Sequence, residues 1–163
     1  MTANAAAAKD WYDQAASHIK EQRFDQAKEC LERSLAAEET AKAHHDLGII
    51  HYMHDRNAQA ITALQAAIRV DPAYDQAYAN LSRITYETGD AGKAIEYSIL
   101  AVNAKPAERS YKEEFIQLVK MKEFKFFYPQ MKDVITACLQ TEDLFHEGLT
   151  YPWFSLFRLD PAL

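Results

Sequence analysis

Four of the six histidines lie close together in the sequence, at His44, His45, His51 and His54. On a helix, His51 and His54 can face the same side, and Asp55 follows His51 by four residues. A zinc or nickel site needs three or four convergent ligands. We therefore predict no metal site, and we interpret two of these histidines as packing residues and two as surface residues.

The motifs of common enzyme classes are absent from the sequence. It contains no glycine-rich phosphate loop, no GxSxG elbow and no HExxH pair. The acidic pairs Glu38-Glu39 and Glu113-Glu114 are typical of solvated helix faces, because neighbouring helix positions point in different directions. We therefore predict a non-enzymatic chain with no catalytic residue and no cofactor.

The composition of the chain limits the classes of molecule that it is expected to bind. The 163 residues carry a formal net charge of −6, which argues against a nucleic-acid or anionic-membrane surface. No apolar run approaches the roughly 20 residues of a membrane-spanning helix, and residues 1–5 carry no secretory signal. Cys30 and Cys138 fit no CxxC pattern. We expect reduced thiols, a cytoplasmic location and no membrane insertion.

The helices that position these residues can be predicted from a sequence repeat of 34 residues. Residues 75–108 align with residues 41–74 without a gap, and residues 8–40 join them one residue short. The matched pairs of the two full-length units are Leu47 and Leu81, Ala60 and Ala94, Ala67 and Ala101, and Pro72 and Pro106. Apolar residues recur at helical spacing, and each proline ends a helix. A period of this length predicts an all-α solenoid of helix pairs.

The pattern resembles the tetratricopeptide repeat family, and its bacterial members in particular. The resemblance implies a right-handed α-solenoid of stacked antiparallel helix pairs, forming a single domain over residues 1–163. It places repeats at 8–40, 41–74 and 75–108, a divergent repeat at 109–141 and capping helices at 142–160. His44 and His51 then occupy positions that the family fills with packing residues, so mild acid should loosen the second repeat.

In this family the first helix of each repeat lines a concave groove that holds a segment of a partner protein. The residues that the resemblance places in this groove are Lys9, Tyr12, Lys42, His45, Ile49, Tyr52, Met53, Gln76, Arg83 and Tyr86. Their mixture of tyrosine rings and positive charge suits a peptide with apolar anchors and a carboxylate. The alternative interpretation is that they are only the solvated side of amphipathic helices.

One subtype of the family can be examined directly in the sequence. Its chaperone-binding members hold a C-terminal carboxylate with a clamp of lysine, arginine and asparagine. The matching positions are Tyr12, Ala16, Asp46, Gln76 and Asn80, and none of them carries a cation. The sequence therefore argues against a chaperone clamp.

The end of the chain is rich in aromatic residues, since seven of the eight phenylalanines lie between Phe115 and Phe157. We interpret this region as a cap over the last repeat, or else as an interface that supports self-association. The Pro161-Ala162 junction repeats Pro72-Ala73, after which a new helix begins. Residues 138–161 are also similar to the stretch that follows the repeats in bacterial proteins with a methyltransferase or glycosyltransferase downstream. This resemblance implies an alternative function, an N-terminal recognition domain of such a larger enzyme, and the junction favours it.

Overall fold

The computed structural model describes residues 3–120, and every regular element in this range is an α-helix. The helices are α1 (Ala3–Lys20), α2 (Phe24–Ala37), α3 (Ala41–Met53), α4 (Asn57–Val70), α5 (Asp75–Glu87), α6 (Ala91–Ala104) and α7 (Arg109–Lys120). The prediction of an all-α fold is confirmed. The second helix predicted within residues 109–141 and the capping helices at 142–160 lie outside the described residues.

The described residues form two compact units, of which the first ends at Ala77 and the second begins at Tyr78. In the first unit α1 packs on α2, α3 packs on α4, and α2 contacts α3. Small and branched apolar side chains fill the space between these helices, among them the fully buried Ala15, Ala27 and Leu31. Burial of this apolar surface is the main force that holds the pairs together.

Each turn between paired helices contains one residue in the left-handed conformation. The residues are Gln22, Asp55 and Gly89, with φ angles of 59°, 57° and 90°. They occupy the same position in the three repeats. Only glycine adopts this conformation without steric cost. Because glutamine and aspartate adopt it too, packing of the helix pair, and not the residue type, imposes the turn.

The helices of the second repeat approach each other closely at Gly48. A Cβ atom there would lie 2.9 Å from Leu64 Cγ and 3.2 Å from the carbonyl oxygen of Ala60. The equivalent position of the third repeat, 34 residues later, is Ser82. Here the smaller Ser98 replaces the leucine. The buried Ser82 hydroxyl donates a hydrogen bond to the Ala94 carbonyl at 2.8 Å. The two repeats thus have different side chains at these equivalent positions.

In the second unit, α6 packs on α7, and the core includes the fully buried Leu81 and Ile84. Asp90 caps α6 by accepting a hydrogen bond from the Lys93 backbone N–H at 3.0 Å. On α7, Phe115 and Leu118 are buried, as the apolar spacing of this helix predicts. No helix among residues 3–120 combines the length and hydropathy that crossing a membrane requires.

Candidate functional site

The first helices of the first two repeats present one continuous surface. Helical spacing puts Lys9 and Tyr12 on one side of α1, and puts Lys42, Ile49, Tyr52 and Met53 on one side of α3. The Lys42 ammonium lies over the Tyr12 ring, 4.6 Å from its centroid. This contact shows that the two sides adjoin, and we call them together the α1/α3 face.

Asp46 connects the two helices of this face. One carboxylate oxygen accepts a hydrogen bond from the Tyr12 hydroxyl, and the other accepts one from His45 Nδ1 at 3.0 Å. The His45 ring lies 5.4 Å from that of Tyr74, which precedes α5. Both carboxylate oxygens of Asp46 are therefore engaged. We call Tyr12, Lys42, His45, Asp46 and Tyr74 the Asp46 cluster.

The electrostatics of the Asp46 cluster keep its phenols neutral. Burial raises the pKa of Tyr12 well above its ordinary value, and the hydrogen bond and charge of Asp46 raise it further. Burial followed by the charge of Asp46 also raises the pKa of Tyr74. Desolvation and a nearby negative charge both disfavour a phenolate. Tyr12 therefore donates a hydrogen bond to Asp46, and this bond links α1 to α3.

The ten predicted groove residues have different environments. His45 is buried beneath Tyr74, whereas Lys9, Lys42 and Met53 are exposed, and Met53 retains 54% of its accessible surface. Ile49 and Tyr52 are half-buried. Gln76 is an exposed residue of the first unit, and Arg83 and Tyr86 are exposed residues of the second.

Sequence reasoning missed the roles of Asp46 and Tyr74 in this surface. The sequence pattern predicts Asp46 only as a position of the chaperone clamp, and it predicts no role for Tyr74. A signal for Asp46 does exist in the sequence, because it follows Tyr12 by 34 residues, about one repeat period. Residues one period apart on neighbouring first helices are expected to face each other.

The histidines adopt an arrangement that differs from the predicted one. His44, predicted to be a packing residue, retains 15% of its side-chain surface and donates from Nε2 to Glu39 at 2.9 Å. His45, predicted to lie on the surface, is buried instead because Asp46 and Tyr74 provide polar and aromatic partners. The prediction that His45 lies on the surface was wrong, whereas His44 is largely buried, as a packing residue should be.

The other two histidines lie as expected. His51 is buried, while His54 is exposed and donates from Nδ1 to the Ile50 carbonyl at 2.8 Å. In the part of the chain that the structure describes, no three His, Cys, Asp or Glu side chains are grouped so that they could hold a metal ion.

Lowering the pH from about 7.5 to about 5.5 should destabilise the protein through His51. Burial lowers the pKa of His51, and the charges of Lys28 and Arg56 lower it further, against a smaller opposing effect of Glu32. The unfolded chain, in which histidine has a pKa of about 6.5, therefore takes up the proton first. The stabilisation is complete above about pH 6.5 and is lost as the pH falls through that value towards the folded pKa.

The measurement is the melting temperature of the native chain and of His51→Gln at both pH values. On acidification, the melting temperature of the native chain should fall further than that of the variant. Equal losses would show that His51 does not carry the effect.

A cavity of about 220 Å³ lies beside the α1/α3 face, where α1, the end of α2 and the start of α3 meet. Its lining combines two lysines with small apolar, hydroxyl and acidic side chains: Ala5, Ala8, Lys9, Tyr12, Ser34, Glu38, Thr40 and Lys42. Tyr12 and Lys42 thus belong both to the cavity and to the Asp46 cluster. The cavity extends the face sideways towards the connection between the first two repeats.

Comparison with known proteins shows which fold family these features represent. Two solved structures each have a TM-score of 0.67. One is the first TPR of Spaghetti (RPAP3) bound to the HSP90 peptide SRMEEVD, 13% identical over 71% of this chain and 93% of that chain. The other is MamA, 22% identical over 82% of this chain and 77% of that chain. No curated protein is significantly similar to the chain in sequence.

A third structure comes from an enzyme. It is a mutant of the Thermobaculum terrenum O-GlcNAc transferase, with a TM-score of 0.65 and 20% identity, and the match covers 73% of this chain but only 23% of that one. The family model described as tetratricopeptide repeat matches residues 12–61 and 45–107, which together make up more than half of the chain. The chain therefore belongs to the tetratricopeptide repeat family.

Proposed function

We propose that the chain is a non-catalytic protein-interaction module that binds a segment of a partner protein on its α1/α3 face. The observation that carries the proposal is the composition of this face. Met53 is 54% exposed, and the exposed Lys42 lies over the ring of Tyr12. Aromatic and methionine side chains are enriched on surfaces that bind proteins.

The Asp46 cluster supports the proposal because it organises the face before a partner arrives. Tyr12 is held by Asp46, so its ring need not be ordered on binding. A preorganised surface binds with a smaller entropy cost. The similar TPR of Spaghetti holds an HSP90 peptide, which is consistent with a peptide ligand here. A cytoplasmic location and self-association through the aromatic C-terminal region belong to the same proposal.

Replacing Tyr52 with alanine should weaken peptide binding about tenfold, since aromatic residues at interfaces often contribute more than about 1 kcal/mol. The test begins with a phage-displayed random peptide library selected on the native chain. A synthetic copy of an enriched peptide is then titrated against the native chain and Tyr52→Ala by fluorescence anisotropy. Because Tyr52 is half-buried, the variant should lose little stability.

Gln59→Ala provides the control, because Gln59 is exposed on α4, away from the residues of the α1/α3 face. It should bind the peptide as the native chain does. If no peptide is enriched, or if Tyr52→Ala binds normally, the α1/α3 face is not the binding surface.

A second candidate function is a recognition domain within a longer enzyme, such as a glycosyltransferase or methyltransferase. The observation that favours it is the match to 23% of the O-GlcNAc transferase chain. An immunoblot of source cells with an antibody against this chain tests it. A band near 18.6 kDa argues for the module alone, and a much larger band argues for the enzyme.

A further inference from the structure

We propose that the cavity beside the α1/α3 face binds a glutamate side chain of the partner segment, with its carboxylate between Lys9 and Lys42. This inference rests on the proposed function and gives the partner a defined chemistry. The two lysines line the same cavity of about 220 Å³, although they belong to different repeats.

The first argument is charge. Neither Lys9 nor Lys42 forms an ion pair within the described residues, whereas Lys28 pairs with Glu32 at 3.6 Å and Lys93 pairs with Asp90 at 3.3 Å. The contact of Lys42 with the Tyr12 ring holds its ammonium beside the cavity without neutralising it. The two lysines outnumber the one acidic residue of the lining, Glu38, so the cavity carries a net positive charge in a chain of net charge −6 and can attract an anion.

The second argument is the balance of hydrogen-bond donors. The Thr40 oxygen accepts from the Ala43 N–H at 3.3 Å, which leaves its hydroxyl hydrogen available. The Ser34 hydroxyl, by contrast, already donates to the Ala8 carbonyl at 2.8 Å. The donors available at the cavity are therefore the two lysines and Thr40. A carboxylate can accept from all three.

The third argument selects a side chain over a chain terminus. Ala5 and the ring of Tyr12 give the cavity an apolar wall. Glutamate carries two methylene groups between backbone and carboxylate, so it can contact this wall and the lysines together. A C-terminal carboxylate has no such stem. Lysine is also suited to a single-point contact, since its ammonium does not demand the bidentate geometry of arginine.

Glu38 supplies an internal check on the proposal. It lines the same cavity, and its negative charge opposes that of an incoming carboxylate. Removing this charge should therefore strengthen binding, while removing a lysine charge should weaken it. A site that recognised only apolar groups would respond to neither change.

The test uses two amidated peptides: an enriched peptide from the library and its copy with glutamate replaced by glutamine. Both are titrated against the full chain and against Lys9→Gln, Lys42→Gln and Glu38→Gln. Each lysine variant should bind the glutamate peptide about tenfold more weakly, and Glu38→Gln should bind it more tightly. The glutamine peptide should bind all of these proteins alike.

Lys93→Gln is the matched control, because it makes the same charge change at an exposed position of the second unit. It should bind the glutamate peptide as the native chain does. Circular dichroism of each variant verifies that the helices are intact. An equal loss of affinity in this control would mean that net charge, and not the cavity, attracts the peptide, and would overturn the proposal.

The outcomes separate the two proposals. Enriched peptides without an acidic preference, or lysine variants that bind normally, overturn the glutamate site and leave the interaction module intact. A preference that depends on a free C-terminal carboxylate also overturns the glutamate site. Failure to enrich any peptide overturns the proposed function and this inference with it.

Discussion

Replacing Leu81 with alanine should lower the free energy of unfolding by about 2–5 kcal/mol. Leu81 has no accessible surface and lies in the core of the second unit. Truncating it removes buried methyl groups and leaves a cavity that the surrounding helices fill only in part. Urea denaturation followed by circular dichroism measures the change.

The matched control is Tyr86→Ala on the same helix, α5. Tyr86 is 41% exposed, so its truncation removes fewer packing contacts and should cost clearly less. If the two variants unfold at the same urea concentration, the division of α5 into a core side and an exposed side is wrong.

Replacing Gly48 with valine should destabilise the protein by about 1–3 kcal/mol through overpacking. The first added carbon alone would lie 2.9 Å from Leu64 Cγ and 3.2 Å from the Ala60 carbonyl oxygen. The branched γ carbons need still more room. To relieve this steric clash, α3 and α4 must separate, and their separation exposes part of the core between them. The measurement is again the free energy of unfolding in urea.

Gly92→Val gives the comparison, since Gly92 is also helical but a Cβ there would make only an ordinary van der Waals contact. The nearest neighbour of a Cβ there is the exposed Asp90 side chain at 3.6 Å. The same substitution should therefore cost little. If valine is tolerated equally at both glycines, α3 and α4 do not pack as closely at Gly48 as the structure indicates.

The repeat pattern was sufficient to predict the helices and much of their core. Ala60 aligns with Ala94 and both are fully buried, while Leu81 is fully buried and its counterpart Leu47 is half-buried. These positions are predictable because each depends on contacts within one helix pair. The pairs recur every 34 residues with nearly the same geometry, so the periodic signal reports their environment directly.

The surface between repeats was less predictable. The alignment put His44 inside and His45 outside, but in the structure both side chains are largely buried, with 15% and 11% of their surface accessible. His45 is buried because Asp46 accepts a hydrogen bond from its Nδ1 and Tyr74 covers its ring. The repeat period gives a signal for Asp46, but it gives none for the contact of Tyr74 with His45. A periodic alignment shows the residues that the repeats have in common, whereas the Asp46 cluster depends on residues that differ between repeats.

The cavity was unpredictable for the same reason. Lys9 and Lys42 were both identified as groove residues, but no pattern indicates that they line one cavity with Glu38. That juxtaposition depends on where α2 ends and α3 begins. The sequence therefore predicted the two lysines of the candidate site. It did not predict the apolar residues that line the cavity or the opposing charge of Glu38.

The side chains at the Gly48 contact and at its counterpart in the third repeat limit how this chain can change in evolution. Gly48 lies against Leu64, whereas the equivalent positions of the third repeat are Ser82 and Ser98, and Ser82 donates a hydrogen bond to the Ala94 carbonyl. Exchanging single helices between repeats would bring Ser82 against Leu64, or leave a void beside Gly48. Exchanging whole repeats keeps each pair intact. Gene duplication and recombination should thus be tolerated at the junctions near Pro72 and Pro106, and a chimaera joined within a helix pair should fold less stably.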